Sequence, residues 1–364
     1  MRIGYDLLSA AGPYEVSLLE ALFENYPDID QTVFLPGKKN KKKIDAVPSA
    51  LFNKKILPKN DFPWLRGETG LPFKIAAQKL DLLFCPSPNL PLRQPCKTAV
   101  LISDLDRLIF EARGIRGLEN NIRWRVQKAA IKKANRIITY SQFFANHVSR
   151  LLNADRQRVE TVPIAASDDM FPVYDNSELQ RVKKEAGIDS PYFIFAGGSS
   201  KRKNIKELTE IFNAFSSTNP GIRLVLASDL PRELSCQNII SAGFKDRADL
   251  SCLYSGALAY VSASSYEGFP YGAFESMCCG TPAIVFDNSS FSEVLGNSAM
   301  LVKNADKAGF VKALRQAAAD PQLRLRQKAL SIERAKSFAS KNSASALVKI
   351  FDGIMKERYI PDEK

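Results

Sequence analysis

Histidine occurs once in the 364 residues, as His147 inside the helical stretch "SQFFANHVSRLL". It is expected to be a helix-surface or packing residue rather than a metal ligand or a base. The cysteines (Cys85, Cys96, Cys236, Cys252, Cys278 and Cys279) lack the spacing of a zinc site, so buried free thiols are expected. No uninterrupted apolar run approaches the roughly 18–20 residues that span a bilayer. The opening "MRIGYDLLSA" places Asp6 where the core of a signal peptide would lie, so a cytoplasmic protein with no targeting segment is expected. Short repeats and low-complexity tracts are missing, apart from the basic run "GKKNKKK", and there is no recognition-helix or RNA-binding signature.

What is present fits a folded protein of two ordinary domains: 45% of the residues are apolar and 25% charged. The net charge of +12 is uneven, with +8 in residues 1–170 and +4 in the remainder. The excess hints at an anionic partner.

Short β-branched runs alternate with helical patterns, the signature of parallel α/β units. In the first half, strands are expected at "RIGYDLL", "QTVFL", "DLLFC", "KTAVLIS", "RIITY" and "VETVP", with helices at "YEVSLLEALFENY" and "LENNIRWRVQKAAIKKA". The polar "AASDDMFPVYDNSELQ", near 165–180, breaks this rhythm and reads as a linker. Strands then resume at "YFIFAGG", "IRLVLAS", "NIISAG", "ALAYVSAS", "PAIVFD" and "AMLVK". The expectation is a doubly wound domain over 1–170, a second Rossmann-like domain over 180–340, and a helix over 341–364 that packs back towards the first. In such sheets the ligand lies at the carboxyl ends of the strands, in a cleft that two such domains would share.

Two stretches carry chemistry. In "FAGGSSKRKNIKELTEIF" a strand runs into Gly197, Gly198 and Ser199, then Arg202 and Lys203, then a helix. Unpaired amides at a helix start together with two cations make a diphosphate site, although a tight turn with solvated lysines would read similarly. In "SSYEGFPYGAFESMCCGTPAIVF", Glu267 follows a strand and Glu275 lies about one turn into the next helix. Each carboxylate can accept a pair of sugar hydroxyls; a helix-stabilising glutamate plus a surface glutamate is the alternative. Asp104-Leu-Asp106 is a D-x-D, a pattern that can hold a divalent cation but is expected here to be a polar loop start. Residues 37–65 interleave lysines with Phe52, Phe62 and Trp64, suiting either an anionic membrane surface or a solvated connection.

The region "SSYEGFPYGAFESMCCGTPAIV" resembles the E-x7-E segment of family-4 retaining glycosyltransferases (glycosyl transferases group 1), and "FAGGSSKRKNIKEL" resembles their diphosphate loop. The likeness spans nearly all of the second domain and extends more weakly to "RIITYSQFFANHVSRLL" and "SAAGPYEVSLLEAL". It implies the GT-B fold, two doubly wound Rossmann-like domains facing a central cleft. It further implies metal-independent transfer of a hexosyl group, with retention, from a nucleotide-diphosphate sugar to a glycan or lipid-linked acceptor, as in cell-surface polysaccharide or lipopolysaccharide synthesis.

In that likeness Glu275 takes the place that holds the ribose, and Glu267 the place that faces the donor sugar. Arg202 and Lys203 match the basic pair on the diphosphate, beside Gly197, Gly198 and Ser199. Gly243 and Phe244 match the contact with the base, and Gly268, Phe269, Pro270, Tyr271 and Gly272 line the sugar and phosphates. Gly12 and Asp104 are the candidates in the first domain.

Three positions depart from the family pattern: Ser103 stands where histidine is common, Gly198 where arginine is common, and Pro270 removes one loop amide. No cofactor is expected beyond the donor substrate. Peripheral contact with an anionic membrane is expected and nucleic acid is not. The alternatives are an epimerase or phosphorylase on the same fold, or a basic, non-catalytic protein that binds glycan or nucleic acid.

Overall fold

A computed structural model describes residues 1–7, 12–36, 53–57, 75–104, 115–228, 238–243 and 245–358. The chain divides into two compact units, one of Met1–Ala165 with Ala339–Lys364, the other of Ala166–Phe338.

The first unit is built on strands β1 (Arg2–Asp6), β2 (Asp30–Pro36), β3 (Asn53–Leu57), β4 (Leu82–Cys85), β5 (Lys97–Leu101), β6 (Arg136–Thr139) and β7 (Val159–Thr161). They form one parallel sheet in the order β3-β2-β1-β4-β5-β6-β7. The inner strands β4 and β5 are buried along their whole length, as continuous runs such as "LLFC" require when both faces of a sheet are covered. Among the described residues this unit includes helices α1 (Pro13–Asn25), α2 (Ile115–Lys133), α3 (Gln142–Leu152) and, from the far end of the chain, a helix at Ser340–Lys356.

That last helix is held by particular groups. Phe351 meets Phe84 edge-on at 5.5 Å. Lys97 Nζ donates to the carbonyls of Ile354 and Met355, each at 3.0 Å, and of Glu357 at 2.5 Å. They lie at the helix end, where amide partners one turn on run out, and the Ile354 carbonyl also accepts from Glu357 N–H at 3.1 Å. Arg136 adds ion pairs to Glu160, at 2.8 Å, and to Glu357.

The sequence reading missed β3. Its residues, "NKKIL", pair in parallel with β2, from Thr32 opposite Asn53 to Pro36 opposite Leu57. Two lysines hide the strand from any apolar count, yet an outermost strand tolerates charge that an inner one would not. The rest of the basic and aromatic segment, 37–52 and 58–74, lies outside the described residues.

The second unit has strands β8 (Tyr192–Ala196), β9 (Arg223–Ala227), β10 (Ile239–Ser241), β11 (Tyr260–Ser262), β12 (Ala283–Asp287) and β13 (Ala299–Lys303), all parallel, in the order β10-β9-β8-β11-β12-β13. Its helices are α4 (Asn176–Glu185), α5 (Ile205–Ser216), α6 (Arg247–Ser255), α7 (Tyr271–Cys278), α8 (Phe291–Leu295), α9 (Lys307–Ala319) and α10 (Pro321–Lys336), so the helix at Ser340–Lys356 is α11. The strand order reverses between β8 and β11, which makes the carboxyl ends of those two strands the natural ligand position.

The stretch around 165–180, read from sequence as a linker, is built into this unit. Val173 N–H donates to Ser255 Oγ at 2.9 Å, and Ser251 Oγ donates to the Phe171 carbonyl at 2.8 Å. Asp175 then caps α4 by accepting from Ser177 N–H at 2.8 Å. Polar composition suggested a connection, whereas the serines of α6 supply these bonds from 80 and 82 positions away.

Candidate functional site

The buried strand β8 ends at Ala196 and gives way to Gly197, whose φ of +155° disfavours a side chain. The Gly197 carbonyl accepts from Ser228 Oγ. Gly198 and Ser199 are exposed, and a single 3₁₀ turn, Lys201–Lys203, leads through Asn204 in the left-handed region (φ 48°) into α5. That turn aims Arg202 and Lys203 at the loop after β11. The hydroxyl of Ser200 is buried there and has no hydrogen-bond partner among the described residues.

Glu267 lies in that second loop. Its carboxylate receives Arg202 Nη1 on Oε2 at 2.5 Å and Lys203 Nζ on Oε1 at 2.7 Å, and the three side chains are only 4–14% exposed. Backbone bonds fix the encounter. Ser265 N–H donates to the Arg202 carbonyl at 2.8 Å, while Arg202 Nη1 donates to the Tyr266 carbonyl at 3.0 Å. Behind the loop, Asn288 Nδ2 donates to the Ser264 carbonyl at 3.0 Å and Ser290 Oγ to the Glu267 carbonyl at 2.9 Å. Burial and then the Glu267 charge push the Tyr260 phenol upward. In formal charges the cluster holds two cations and one carboxylate, so it carries a positive excess at the sheet's switch point, where an anion is favoured.

Glu275 occupies the second turn of α7 and is also buried. It accepts from Arg247 Nη1 at 3.1 Å and from Tyr254 Oη at 3.0 Å. The helix starts hard against β8: a Cβ on Gly272 would stand 2.5 Å from the Ala196 carbonyl oxygen and 2.8 Å from Tyr260 Oη. Gly268, Phe269 and Pro270 are buried, and Phe269 packs among aromatic rings, 5.3 Å from Phe274 and 5.2 Å from Tyr271. Gly243 has φ +68°, a Cβ there would meet nothing within 4 Å among the described residues, and Phe244 lies outside them.

In the first unit, Glu15 folds back on the start of α1. It is buried and bonds to Gly12 N–H and to the Ser103 side chain; burial raises its pKa and these bonds oppose the rise. A Cβ on Gly12 would come within 2.5 Å of Glu15 Oε2, so the glycine has a packing reason of its own. Glu15 thus plays the N3 part of a capping box, tied to the end of β5 through Ser103. Asp104 is exposed, and Asp106, the other half of the D-x-D, lies outside the described residues. No cluster of metal-ligand type occurs among the described residues. His147 stacks on Phe144 at 6.5 Å, and burial, then Arg150, lowers its pKa, in keeping with a packing residue. Five cysteines are free and buried; Cys236 is outside the described residues.

Arg247, Tyr254 and Asp169 were missed by sequence reasoning. The available signal was spacing: positions 247 and 254 are two turns apart on one helix and therefore share a face.

Residues 176–334 match the family model described as Glycosyl transferases group 1. The match lies within the second unit and spans most of it. The chain is 25% identical over 234 residues to the O-antigen chain mannosyltransferase B of Escherichia coli, covering 61% of each protein. It is 26% identical over 197 residues to the O-antigen chain mannosyltransferase RfbU of Salmonella typhimurium, covering 52% of each. The chain thus spans between about half and two thirds of the length of these curated relatives. The crystal structure of Anabaena HepE in complex with UDP-glucose is similar with a TM-score of 0.73 at 14% identity, covering 97% of this chain and 100% of that one. With two doubly wound parallel sheets, the fold is GT-B.

Proposed function

We propose that the chain is a retaining glycosyltransferase that moves a sugar from a nucleotide-diphosphate donor to a hydroxyl of a glycan or lipid-linked acceptor, of the cell-surface polysaccharide or lipopolysaccharide type. The observation that carries this reading is the Arg202–Glu267–Lys203 cluster at the β8/β11 switch point. HepE, of the same fold, has been solved in complex with UDP-glucose, and the two relatives are O-antigen mannosyltransferases. Both support a nucleotide-sugar donor and an acceptor at the cell surface.

In this reading the diphosphate lies over Gly197, Gly198 and Ser199 and draws on Arg202 and Lys203, with Ser200 Oγ near enough to bond it. Glu275 holds the ribose, Gly243 and Phe244 the base, and Glu267 faces the sugar beside the loop from Gly268 to Gly272. As the bond from the anomeric carbon to the diphosphate oxygen breaks, the two cations stabilise the charge on the leaving phosphate and Glu267 the oxocarbenium-like sugar. The acceptor oxygen bonds to the anomeric carbon on the same face, and its proton passes to a donor phosphate oxygen. The two cations meet the diphosphate charge, so the reaction is proposed to need neither metal nor cofactor. Gly12 and Asp104 belong to the acceptor side.

We also propose a cytoplasmic protein whose lysines at 38, 39, 41, 42 and 43 rest on an anionic membrane; no helix among the described residues is long and apolar enough to cross one.

Glu275→Ala is expected to weaken nucleoside diphosphate binding, and Glu267→Ala mainly to lower turnover of the donor sugar. Calorimetric affinity and turnover for both variants test the assignment, which unchanged nucleotide affinity in Glu275→Ala would overturn.

A further inference from the structure

A chain of hydrogen bonds starts three residues into the second unit, which begins at Ala166, and ends in that unit's core. Arg247 Nε donates to Asp169 Oδ2 at 2.5 Å, and Arg247 Nη1 donates to Glu275 Oε1 at 3.1 Å. From the other side, Tyr254 Oη donates to Glu275 Oε2 at 3.0 Å. Tyr254 is fully buried, and its carbonyl accepts from Thr281 Oγ1 at 2.6 Å, so ring and backbone are both held. Burial raises the Asp169 pKa, but bonds from Arg247 and Ser167 together with the Arg247 charge lower it on balance.

The placement is hard to explain as helix stabilisation. Arg247 is the first residue of α6, where the helix dipole disfavours a cation. Glu275 is inside α7, beyond the first turn where a carboxylate would help the helix start. What the chain does achieve is orientation. A glutamate has three side-chain torsions, and here Arg247 holds one carboxylate oxygen and Tyr254 the other. A carboxylate accepts at about four lone-pair positions, two on each oxygen. Two adjacent acceptors with fixed spacing suit a cis-diol.

We propose that Arg247, held in turn by Asp169, and Tyr254 are positioning residues that fix the Glu275 carboxylate for both hydroxyls of a ribose, and so set the preference of this site for ribonucleoside over 2′-deoxyribonucleoside diphosphates. This rests on the reading of Glu275 as the ribose-binding residue.

The test is calorimetric titration of the full chain with UDP and GDP and with the 2′-deoxy form of each, for the parent and for Arg247→Ala, Arg247→Lys, Tyr254→Phe, Asp169→Asn and Glu275→Ala. Thermal unfolding of each variant separates loss of fold from loss of site, and Tyr254→Phe keeps the buried ring. Arg247→Ala and Tyr254→Phe are each expected to weaken the better-bound ribonucleotide roughly tenfold, as the loss of one charge-assisted hydrogen bond would. They should also bring the ribo-to-deoxyribo affinity ratio towards one. Arg247→Lys should recover part of both, and Asp169→Asn should show a smaller effect of the same kind. If Glu275→Ala loses binding while Arg247→Ala and Tyr254→Phe keep the parent's ratio, the positioning role is overturned and the ribose reading stands. If Glu275→Ala binds like the parent, or the parent binds neither nucleotide, the ribose reading falls and this inference with it.

Discussion

Lys203 Nζ donates to Glu267 Oε1 at 2.7 Å across 64 positions of sequence, and Arg202 completes the cluster from the same turn at 2.5 Å. Two loops that follow neighbouring strands are thereby joined by buried ions rather than by apolar packing. Removing one partner of such a group leaves uncompensated charge, so Glu267→Ala should lower the stability of the second unit by about 3–5 kcal/mol. Pyrophosphate should return part of that loss by taking the carboxylate's place. Urea unfolding with and without pyrophosphate reads both effects, and a variant as stable as the parent would contradict this account of the cluster.

Lys97 makes a comparable contribution to the first unit. Its ammonium gathers three carbonyls near the end of α11, and Lys97→Met would leave them without that donor. A stability loss of about 2–3 kcal/mol is expected, the cost of charge-assisted bonds to partly buried carbonyls. Hydrogen exchange should show the loss concentrated in α11 and in its neighbour α1.

Two glycines of the second unit should behave oppositely. Gly272→Ala drives a Cβ against the Ala196 carbonyl and should cost about 1–3 kcal/mol through overpacking. Gly198→Ala meets nothing within 4 Å among the described residues and should leave the unfolding midpoint in place. Equal midpoints for the two variants would show that α7 can shift away from β8.

The Cys279 thiol is pushed up to about 12 by burial, against a bond from Ser251 that lowers it, and burial also raises Cys278. An unfolded thiol titrates near 9, so between about 9 and about 12 the folded chain holds protons that the unfolded chain has released, and stability falls as pH rises through that window. Below it the stabilisation is complete. Neither thiol should react with a disulfide reagent at pH 8 until the unit opens. Stoichiometric labelling of native protein within seconds would contradict their burial.

Much of the fold was legible because parallel strands covered on both faces are written as continuous apolar runs. Tyr192–Ala196 and Leu82–Cys85 are such runs, and each is a strand. β3 was not legible, since an outermost strand can carry Lys54 and Lys55. The segment near 165–180 misled for a related reason: its bonds go to Ser251 and Ser255 of α6, and no local pattern announces a partner that distant. At the site, Arg202, Lys203, Glu267 and Glu275 could be picked out by type and spacing. Their pairing could not, because it depends on β8 and β11 being neighbours in the sheet, which the chain order hides.

The central claim, that the buried cluster after β8 and β11 is a diphosphate site that works without metal, is tested most directly by titrating the full chain with UDP and GDP in excess EDTA, parent beside Lys203→Gln. The account predicts that the parent binds one of them in EDTA and that the variant binds it at least roughly tenfold more weakly, as the loss of a charge-assisted bond requires. Binding that appears only with added Mn²⁺, or equal affinity in parent and variant, would contradict it.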